Sequence, residues 1–254
     1  MIININDYNI NYIDEGSGEA VLLLHGWGSD IKCFTTLINL LKTKYRVLAI
    51  DYPGFGESDK LKTSFCVDDY CDLVVKFLEE KNIKEVTLVG HSYGGRIILK
   101  LNNRKDLSFT IKRNVLIDAA GLKDRKDLKV RLKISTFKFL KNILNILPLP
   151  KIRKEELINN MRKKFGSSDY SSAPKLMQET LVRSVNEDLT YCLDNMKESL
   201  IIWGDRDTVT PVWMAKLMEE RIKNSGLVLL KGGHFSYIDD PNTFSRVMIS
   251  YFKL

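Results

Sequence analysis

Short apolar runs recur along the chain and alternate with longer amphipathic stretches. Successive positions in each run are apolar, as in strands that are buried on both faces of a parallel sheet. The runs are 20–24, 46–50, 86–89, 114–117, 200–203 and 227–230. The stretches with helical periodicity are 31–43, 67–81, 93–104, 212–224 and 241–252. This order predicts an α/β fold with a doubly wound, mostly parallel sheet.

Three local signals refine this picture. Thr210-Pro211 and Asp240-Pro241 each offer a capping side chain followed by proline at the first helical position, so we expect a helix to begin at each. Two short strands, near 2–5 and 9–13, come before the alternating pattern. Their connection is too short for a crossover helix, which predicts that they pair antiparallel.

The alternation stops after Gly121 and resumes near Leu200. The residues between are rich in lysine and predict helices around 128–147, 154–164 and 174–193, but no strand. We therefore predict a core domain made of residues 1–121 and 198–254. Residues 122–197 are predicted to form a helical cap, or lid, inserted between two adjacent strands of the core.

Charge distinguishes the inserted segment from the rest of the chain. Of the 254 residues, 44% are hydrophobic and 28% are charged, which is typical of a globular protein. The net charge is +7, yet residues 122–164 hold 14 Lys or Arg against 4 Asp or Glu and the remainder is at −3. A basic cap helix could contact a membrane surface, but we prefer a surface helix with its lysines in solvent. No recognition motif accompanies the charge, so we expect no nucleic-acid partner.

Cysteine usage and the first residues bear on localisation. The polar N-terminal residues lack the basic and then apolar order of a secretory signal. The four cysteines form no CxxC pair and no metal-type cluster, which favours free thiols in a reducing compartment. We expect a cytoplasmic protein whose oligomeric state the sequence leaves open.

The strongest chemical signal is GHSYGG at residues 90–95, between a strand-like run and a helical stretch. A G-x-S-x-G pattern at such a junction is typical of a nucleophile elbow. The serine occupies a tight, strained turn, where larger side chains two positions before and after it would clash. We predict that Ser92 is the nucleophile. The alternative is a glycine-rich turn that contains an incidental serine.

A serine hydroxyl needs a base to remove its proton. The chain has three histidines, at positions 25, 91 and 234. His91 lies inside the elbow, beside the serine in sequence, and His25 follows the first central strand. His234 follows the last strand-like run, on a loop expected to cross the top of the sheet near the elbow. We predict that His234 is the base; the alternative is a loop histidine that only caps a backbone group.

The base in turn needs a carboxylate that fixes its tautomer. Asp205 and Asp207 follow the strand-like run 200–203, in the chain order Ser, Asp, His that this architecture requires. We favour Asp207, which is further along the loop, and expect Asp205 to pair with Arg206 or to satisfy the turn. Asp118 is a rival acid, which we interpret instead as a turn cap.

A tetrahedral intermediate needs backbone N–H donors that are already in place. The residue after the nucleophile, Tyr93, is expected to supply one. Trp27 is expected to supply the other, from the glycine-containing loop HGWG at 25–28. A merely flexible glycine loop is the alternative. The later loop DYPGFG at 51–56 is expected to support the first loop structurally.

Five segments together resemble the α/β-hydrolase superfamily: LLLHGWG, DYPGFGESD, LVGHSYGG, IIWGDRDTVTP and KGGHF. The resemblance implies an eight-stranded sheet with helices on both faces, a Ser–Asp–His triad and a lid after the sixth strand. HGWG and DYPGFGES are similar to the corresponding segments of small bacterial carboxylesterases. Serine at position 92 argues against the epoxide hydrolases and haloalkane dehalogenases of this superfamily, which use aspartate.

These residues predict acyl transfer with no metal and no organic cofactor. The preferred substrate is a small-molecule carboxylic ester with a small to medium acyl group. The same triad could serve a thioesterase, a C–C bond hydrolase or a perhydrolase. A hydrolase-fold protein that only binds is the remaining reading, and it is disfavoured because a binder needs none of Ser92, Asp207 and His234.

Overall fold

The computed structural model describes residues 1–123 and 173–254, together with residues 144, 150, 153, 154 and 157. The strands of this part are β1 (Ile2–Ile5), β2 (Tyr8–Glu15), β3 (Ala20–Leu24), β4 (Arg46–Ile50), β5 (Glu85–His91), β6 (Thr110–Ile117), β7 (Ser199–Gly204) and β8 (Ser225–Leu230). They form one sheet in the order β1-β2-β4-β3-β5-β6-β7-β8. The predicted eight-stranded sheet is thereby confirmed.

The sheet is parallel from β4 to β8 and antiparallel at its first two pairings. β1 pairs with β2, and β2 with β4, in antiparallel register, as the short connection between the first two strands predicts. The remaining neighbours pair in parallel. Because β3 lies between β4 and β5, the chain winds outward in both directions from the middle of the sheet. Ligands in such sheets bind beyond the carboxyl ends of the strands, at this point of reversal.

Helices flank the strands at the places that the periodicity predicts. They are α1 (Thr35–Leu41), α2 (Val67–Glu80), α3 (Tyr93–Asn102), α4 (Lys175–Asn186), α5 (Val212–Arg221), the single turn α6 (Ser236–Asp239) and α7 (Pro241–Phe252). The first predicted helix is divided, because a 3₁₀ turn, Ile31–Phe34, precedes α1. A second 3₁₀ segment, Thr190–Asn195, follows α4.

Two hydrophobic layers cover the two faces of the sheet. Along β3, Leu22 and Leu24 contact one layer, whereas Val21 and Leu23 contact the other. All four side chains are inaccessible to solvent. Burial on both faces explains why the strands are apolar at successive positions instead of alternate ones.

One predicted helix start is right and the other is wrong. Asp240 caps α7 by accepting a hydrogen bond from the N–H of Thr243, and Pro241 is the first helical residue. Before α5, however, Pro211 itself occupies the capping position and Val212 begins the helix. Thr210 does not cap that helix because its hydroxyl group is bonded elsewhere, to the backbone of Asp118 and the side chain of Asp207.

The inserted segment leaves the sheet after β6 and returns at β7, which is the parallel neighbour of β6. Its described part contains α4 and the 3₁₀ segment. The predicted helices around 128–147 and 154–164, with most of the basic charge, lie outside the described residues apart from single positions. The division into core and cap stays a prediction. Within the described part of the chain, no helix is long and apolar enough to cross a membrane.

Candidate active site

Ser92 occupies the sharp turn between β5 and α3. Its backbone is held at φ 49° and ψ −106°, in the left-handed half of conformational space that residues with a Cβ rarely adopt. A Cβ on Gly94 would lie 2.0 Å from the carbonyl oxygen of Leu24, and one on Gly90 would lie 2.7 Å from the backbone of Gly94. The two glycines are therefore required by close packing between β3, β5 and α3. The atoms nearest to these two positions belong to Leu24, Gly94 and Ile98, so the clash predicted with the serine itself is not among the shortest contacts.

Three side chains from three separate loops form a hydrogen-bonded row. The Nε2 atom of His234, after β8, lies 2.9 Å from Oγ of Ser92. The Nδ1 atom of the same ring lies 2.9 Å from Oδ2 of Asp207, after β7. The Asp207 carboxylate is wholly buried and the His234 ring is 13% exposed. This spacing permits a proton to pass from the serine hydroxyl to an imidazole whose other nitrogen is fixed by the carboxylate.

Hydrogen bonds keep the Asp207 carboxylate ionised in spite of its burial. Oδ1 accepts from the backbone N–H groups of Val209 and Thr210, and Oδ2 accepts from the Thr210 hydroxyl group. Burial raises the pKa of Asp207, but the bonds from His234 and Thr210 outweigh it and hold the pKa below its usual value. An ionised carboxylate is what orients the base.

Asp205 does not reach the histidine ring. Its Oδ1 atom accepts from the N–H of Gly232 at 3.0 Å and lies 3.5 Å from the Arg206 guanidinium group, while its side chain is 46% exposed. The geometry thus brings Asp207, and not Asp205, beside His234.

The predicted oxyanion donors lie on the two sides of the elbow. The N–H groups of Trp27 and Tyr93 have no hydrogen-bond partner among the described residues. The loop of Trp27 lies directly against the elbow, because a Cβ on Gly26 would come within 3.3 Å of the Ser92 side chain. The Trp27 ring contacts those of Tyr93 and Phe55 edge-on, with centroids 5.3 Å and 4.9 Å away. The loop of Trp27 is therefore packed against aromatic rings next to the elbow.

The two other histidines form hydrogen bonds to the loops of the site, a role that no local sequence pattern indicates. Nε2 of His91 lies 2.8 Å from the backbone oxygen of His234, and Nδ1 of His25 lies 2.7 Å from that of Gly26. Burial lowers the pKa of each imidazole to about 4. Both rings are therefore neutral near pH 7, and a single N–H of each donates to the loop.

Asp51 connects the second glycine loop to the first one. Its Oδ1 atom accepts from the N–H of Ile31, just after the Trp27 loop, and Oδ2 accepts from the N–H of Glu57. Gly56 adopts φ 52° directly against this carboxylate. These bonds confirm that the DYPGFG segment supports the neighbouring loop structurally.

One face of α3 is attached to α4 and to the residues just after it. The hydroxyl groups of Tyr93 and Ser184 lie 2.8 Å apart. One nitrogen of Arg96 donates to the backbone oxygens of Ser184 and Glu187, at 2.9 and 3.0 Å. Lys100, one helical turn further on, forms an ion pair with the carboxylate of Glu187. The helix that begins at the nucleophile is thus tied to the inserted segment, a contact between distant residues that the sequence analysis did not predict.

Asp118, the rival acid, is not a turn cap. It lies at the end of β6 with φ 44°, and its side chain points away from the turn, toward Gly204 and Ser236. It forms no hydrogen bond with the His234 ring. Burial raises the pKa of Asp118 to about 7.

Known proteins resemble this chain over its whole length. A family model described as the α/β hydrolase fold matches residues 19–119. The chain is 28% identical to an uncharacterized hydrolase, YugF, of Bacillus subtilis, covering 98% of this chain and 95% of that protein. It is 23% identical to a 2-hydroxy-6-oxo-6-(2'-aminophenyl)hexa-2,4-dienoic acid hydrolase of Metapseudomonas resinovorans, with 98% and 89% covered.

A solved structure also resembles the chain over its whole length. The esterase EaEST of Exiguobacterium antarcticum is 26% identical and superimposes with a TM-score of 0.75, covering 100% of this chain and 99% of that one. The similarity spans the sheet and the elbow and extends on both sides of the inserted segment. The chain has the α/β-hydrolase fold and is a hydrolase.

Proposed function

We propose that the protein is a serine hydrolase that cleaves carboxylic esters with small to medium acyl groups. The observation that carries this proposal is the row of Ser92, His234 and Asp207, with 2.9 Å between successive partners. A hydroxyl group next to an imidazole, which in turn is next to a buried carboxylate, is the arrangement that activates a serine.

In the proposed reaction Ser92 Oγ attacks the ester carbonyl carbon while His234 Nε2 takes the hydroxyl proton. The carbonyl oxygen becomes an oxyanion, which the N–H groups of Trp27 and Tyr93 stabilise. The protonated His234 then donates its proton to the leaving alkoxide, so that an alcohol departs and an acyl-enzyme remains. In the second half, His234 takes a proton from water, and the resulting attack releases the carboxylic acid and restores Ser92.

The esterase of Exiguobacterium antarcticum supports the choice of an ester, because it is similar over the whole chain. Trp27 is half-buried and follows Gly26, which packs against the Ser92 side chain, so its ring offers an apolar surface that suits an acyl group. The relative named as a dienoic acid hydrolase keeps C–C bond cleavage as the principal alternative. Thioester cleavage and peracid formation use the same three side chains.

Small-molecule esters are the proposed partners, and the cytoplasm is the proposed location. The four cysteines are all free thiols, and two of them, Cys71 and Cys192, are buried. Unpaired cysteines are typical of proteins in a reducing compartment. Membrane contact through the basic cap residues concerns positions that lie mostly outside the described part of the chain, and it stays disfavoured.

The test is hydrolysis of p-nitrophenyl esters of graded acyl length, from acetate to octanoate, with a dienoic acid and a thioester beside them. We expect the esters to be the best substrates. Ser92→Ala should lower kcat/KM by on the order of 10⁴-fold or more, because it removes the nucleophile. The matched control is Ser108→Ala, which removes an exposed serine that bonds only to Glu79, far from the row.

Two results would contradict the proposal. Turnover retained by Ser92→Ala would mean that another group is the nucleophile. A higher kcat/KM on the dienoic acid or on the thioester than on every oxygen ester would move the assignment to that reaction. The control variant should match the wild type on each substrate.

A further inference from the structure

Asp118 is a buried carboxylate that the proposed reaction does not use. It is wholly inaccessible to solvent, and among the described residues no lysine, arginine or histidine forms an ion pair with it. Burial and repulsion from the Asp207 carboxylate both raise its pKa. Burying an uncompensated carboxylate is costly, so its hydrogen bonds have to offset the loss of water.

All of its side-chain partners are donors, and they come from two loops. Oδ1 accepts from the N–H of Gly204 at 2.8 Å, at the end of β7. Oδ2 accepts from both the N–H and the hydroxyl group of Ser236, at 3.0 and 2.7 Å. Gly204 comes three residues before Asp207, and Ser236 comes two residues after His234. One carboxylate therefore spans the loop of the acid and the loop of the base.

The backbone of the same residue continues this connection. The Thr210 hydroxyl group lies 3.0 Å from the backbone oxygen of Asp118 and 2.7 Å from Oδ2 of Asp207. It also lies 3.1 Å from Nδ1 of His234. Asp118 is thus one hydrogen bond away from the place where the acid meets the base.

The partners require an acceptor at both oxygens, which a carboxyl group provides in either protonation state because the oxygen of its OH group still accepts. An amide in this place would turn an NH₂ group toward the backbone N–H of either Gly204 or Ser236, leaving two donors face to face. A turn cap would not need this, since one acceptor is enough for it. The choice of aspartate at this position is explained by the two loops and not by the turn.

We propose that Asp118 is a positioning residue that fixes the loops of Asp207 and His234 relative to each other, so that the base stays in line with Ser92. The inference depends on the proposed function, because it concerns the geometry of that same row. Asp118 touches neither the substrate nor the reacting atoms. Its contribution is made through Gly204, Ser236 and Thr210.

Asp118→Asn is the direct test, with Asp205→Asn as the matched control. Asp205 also bridges the two loops, through the N–H of Gly232, but with one oxygen and from a half-exposed position, where an asparagine can still accept the bond. We expect Asp118→Asn to lower kcat on the best p-nitrophenyl ester by about 10- to 100-fold with KM within about twofold, since displacement by ~1 Å costs about 100-fold. Labelling of Ser92 by a fluorophosphonate should slow in parallel. Asp205→Asn should resemble the wild type.

Ser236→Ala provides a second variant should Asp118→Asn fail to fold. It removes one of the three donors and leaves the carboxylate and both N–H groups in place, so we expect kcat to fall by about 3- to 10-fold at unchanged KM. The inference would be overturned if Asp118→Asn had a lower melting temperature but the kcat and labelling rate of the wild type. If Asp118→Asn is unfolded, the same result in Ser236→Ala would overturn it. Failure of the proposed function has a different signature, because the wild type would then neither turn over esters nor be labelled.

Discussion

The strained backbone of Ser92 is flanked by Gly90 and Gly94, two positions at which a side chain would clash with neighbouring backbone atoms. The contact is shorter at Gly94, where a Cβ would lie 2.0 Å from the carbonyl oxygen of Leu24. Gly226, in β8, has no atom within 4 Å of the corresponding point. The change to alanine should therefore be strongly destabilising at Gly94 but not at Gly226.

We expect Gly94→Ala to lower the free energy of unfolding by about 3 kcal/mol, since the backbone of β3 must move away. Gly226→Ala should be neutral or should stabilise the protein by about 0.5 kcal/mol, because alanine restricts the unfolded chain. Urea denaturation of both variants measures the difference. Equal transition midpoints would contradict the packing that we assign to the elbow.

The sequence predicted the site residues whose chemistry is visible in a local pattern. Ser92 and His234 follow from a motif and from the scarcity of histidines. Asp118 and His91 were read wrongly or passed over, because the partners of a buried polar group come from loops far away in the chain. No local pattern carries that information. The choice between Asp207 and Asp205 as the partner of His234 was easier, because Asp207 lies further along the loop.

At the scale of elements, α3 has two functions in this fold. Its first residue, Tyr93, has an N–H beside the nucleophile that bonds to none of the described residues, while its side chain reaches α4. The Tyr93 hydroxyl group is buried and has Ser184 as its partner; burial raises its pKa, so it stays protonated. A polar group in this situation is expensive to leave unpaired.

We predict a coupling between these two residues. Ser184→Ala should destabilise the protein by about 1–3 kcal/mol, because it leaves the phenol of Tyr93 unsatisfied. In the background of Tyr93→Phe the same change should cost much less. A double-mutant cycle of unfolding free energies measures the interaction. Strictly additive effects would mean that this hydrogen bond does not hold α3 to α4.

The periodicity predicted the number and order of the core elements because burial acts along each element separately. It erred where tertiary contacts compete for a side chain. Thr210 has the composition of a helix cap, yet its hydroxyl group is used by Asp118 and Asp207. The attachment of α3 to α4 could not be predicted either, since the contacting residues are about 90 positions apart and no local pattern pairs them.

At the scale of the whole molecule, three buried groups of the described residues have pKa values that bear on the response to acid. Burial lowers the pKa of His25 and His91 to about 4 and raises that of Asp118 to about 7. Between pH 6.5 and 4 the unfolded chain binds protons at the two imidazoles that the folded protein does not, so acidification favours unfolding. Asp118 acts in the opposite direction, because over this range its folded form holds a proton that the unfolded aspartate releases.

Two imidazoles against one carboxyl group leave a net loss of stability on acidification. We expect the free energy of unfolding to fall by up to about 1.4 kcal/mol per pH unit between pH 6.5 and 4. Asp118→Asn removes the opposing group, so its slope should be about twice as steep. Urea titrations at pH 6.5, 5.5 and 4.5 measure both slopes. A stability that rises toward pH 4.5 would be inconsistent with two neutral, buried histidines.

Whether Ser92 is an activated nucleophile is decided by peptide mass spectrometry of the protein after treatment with a fluorophosphonate. We expect one adduct per chain, on Ser92, formed by the folded protein and absent after denaturation. Ser108→Ala should be labelled as fast as the wild type. No adduct, or an adduct on another residue of the folded protein, would show that Ser92 is not the nucleophile.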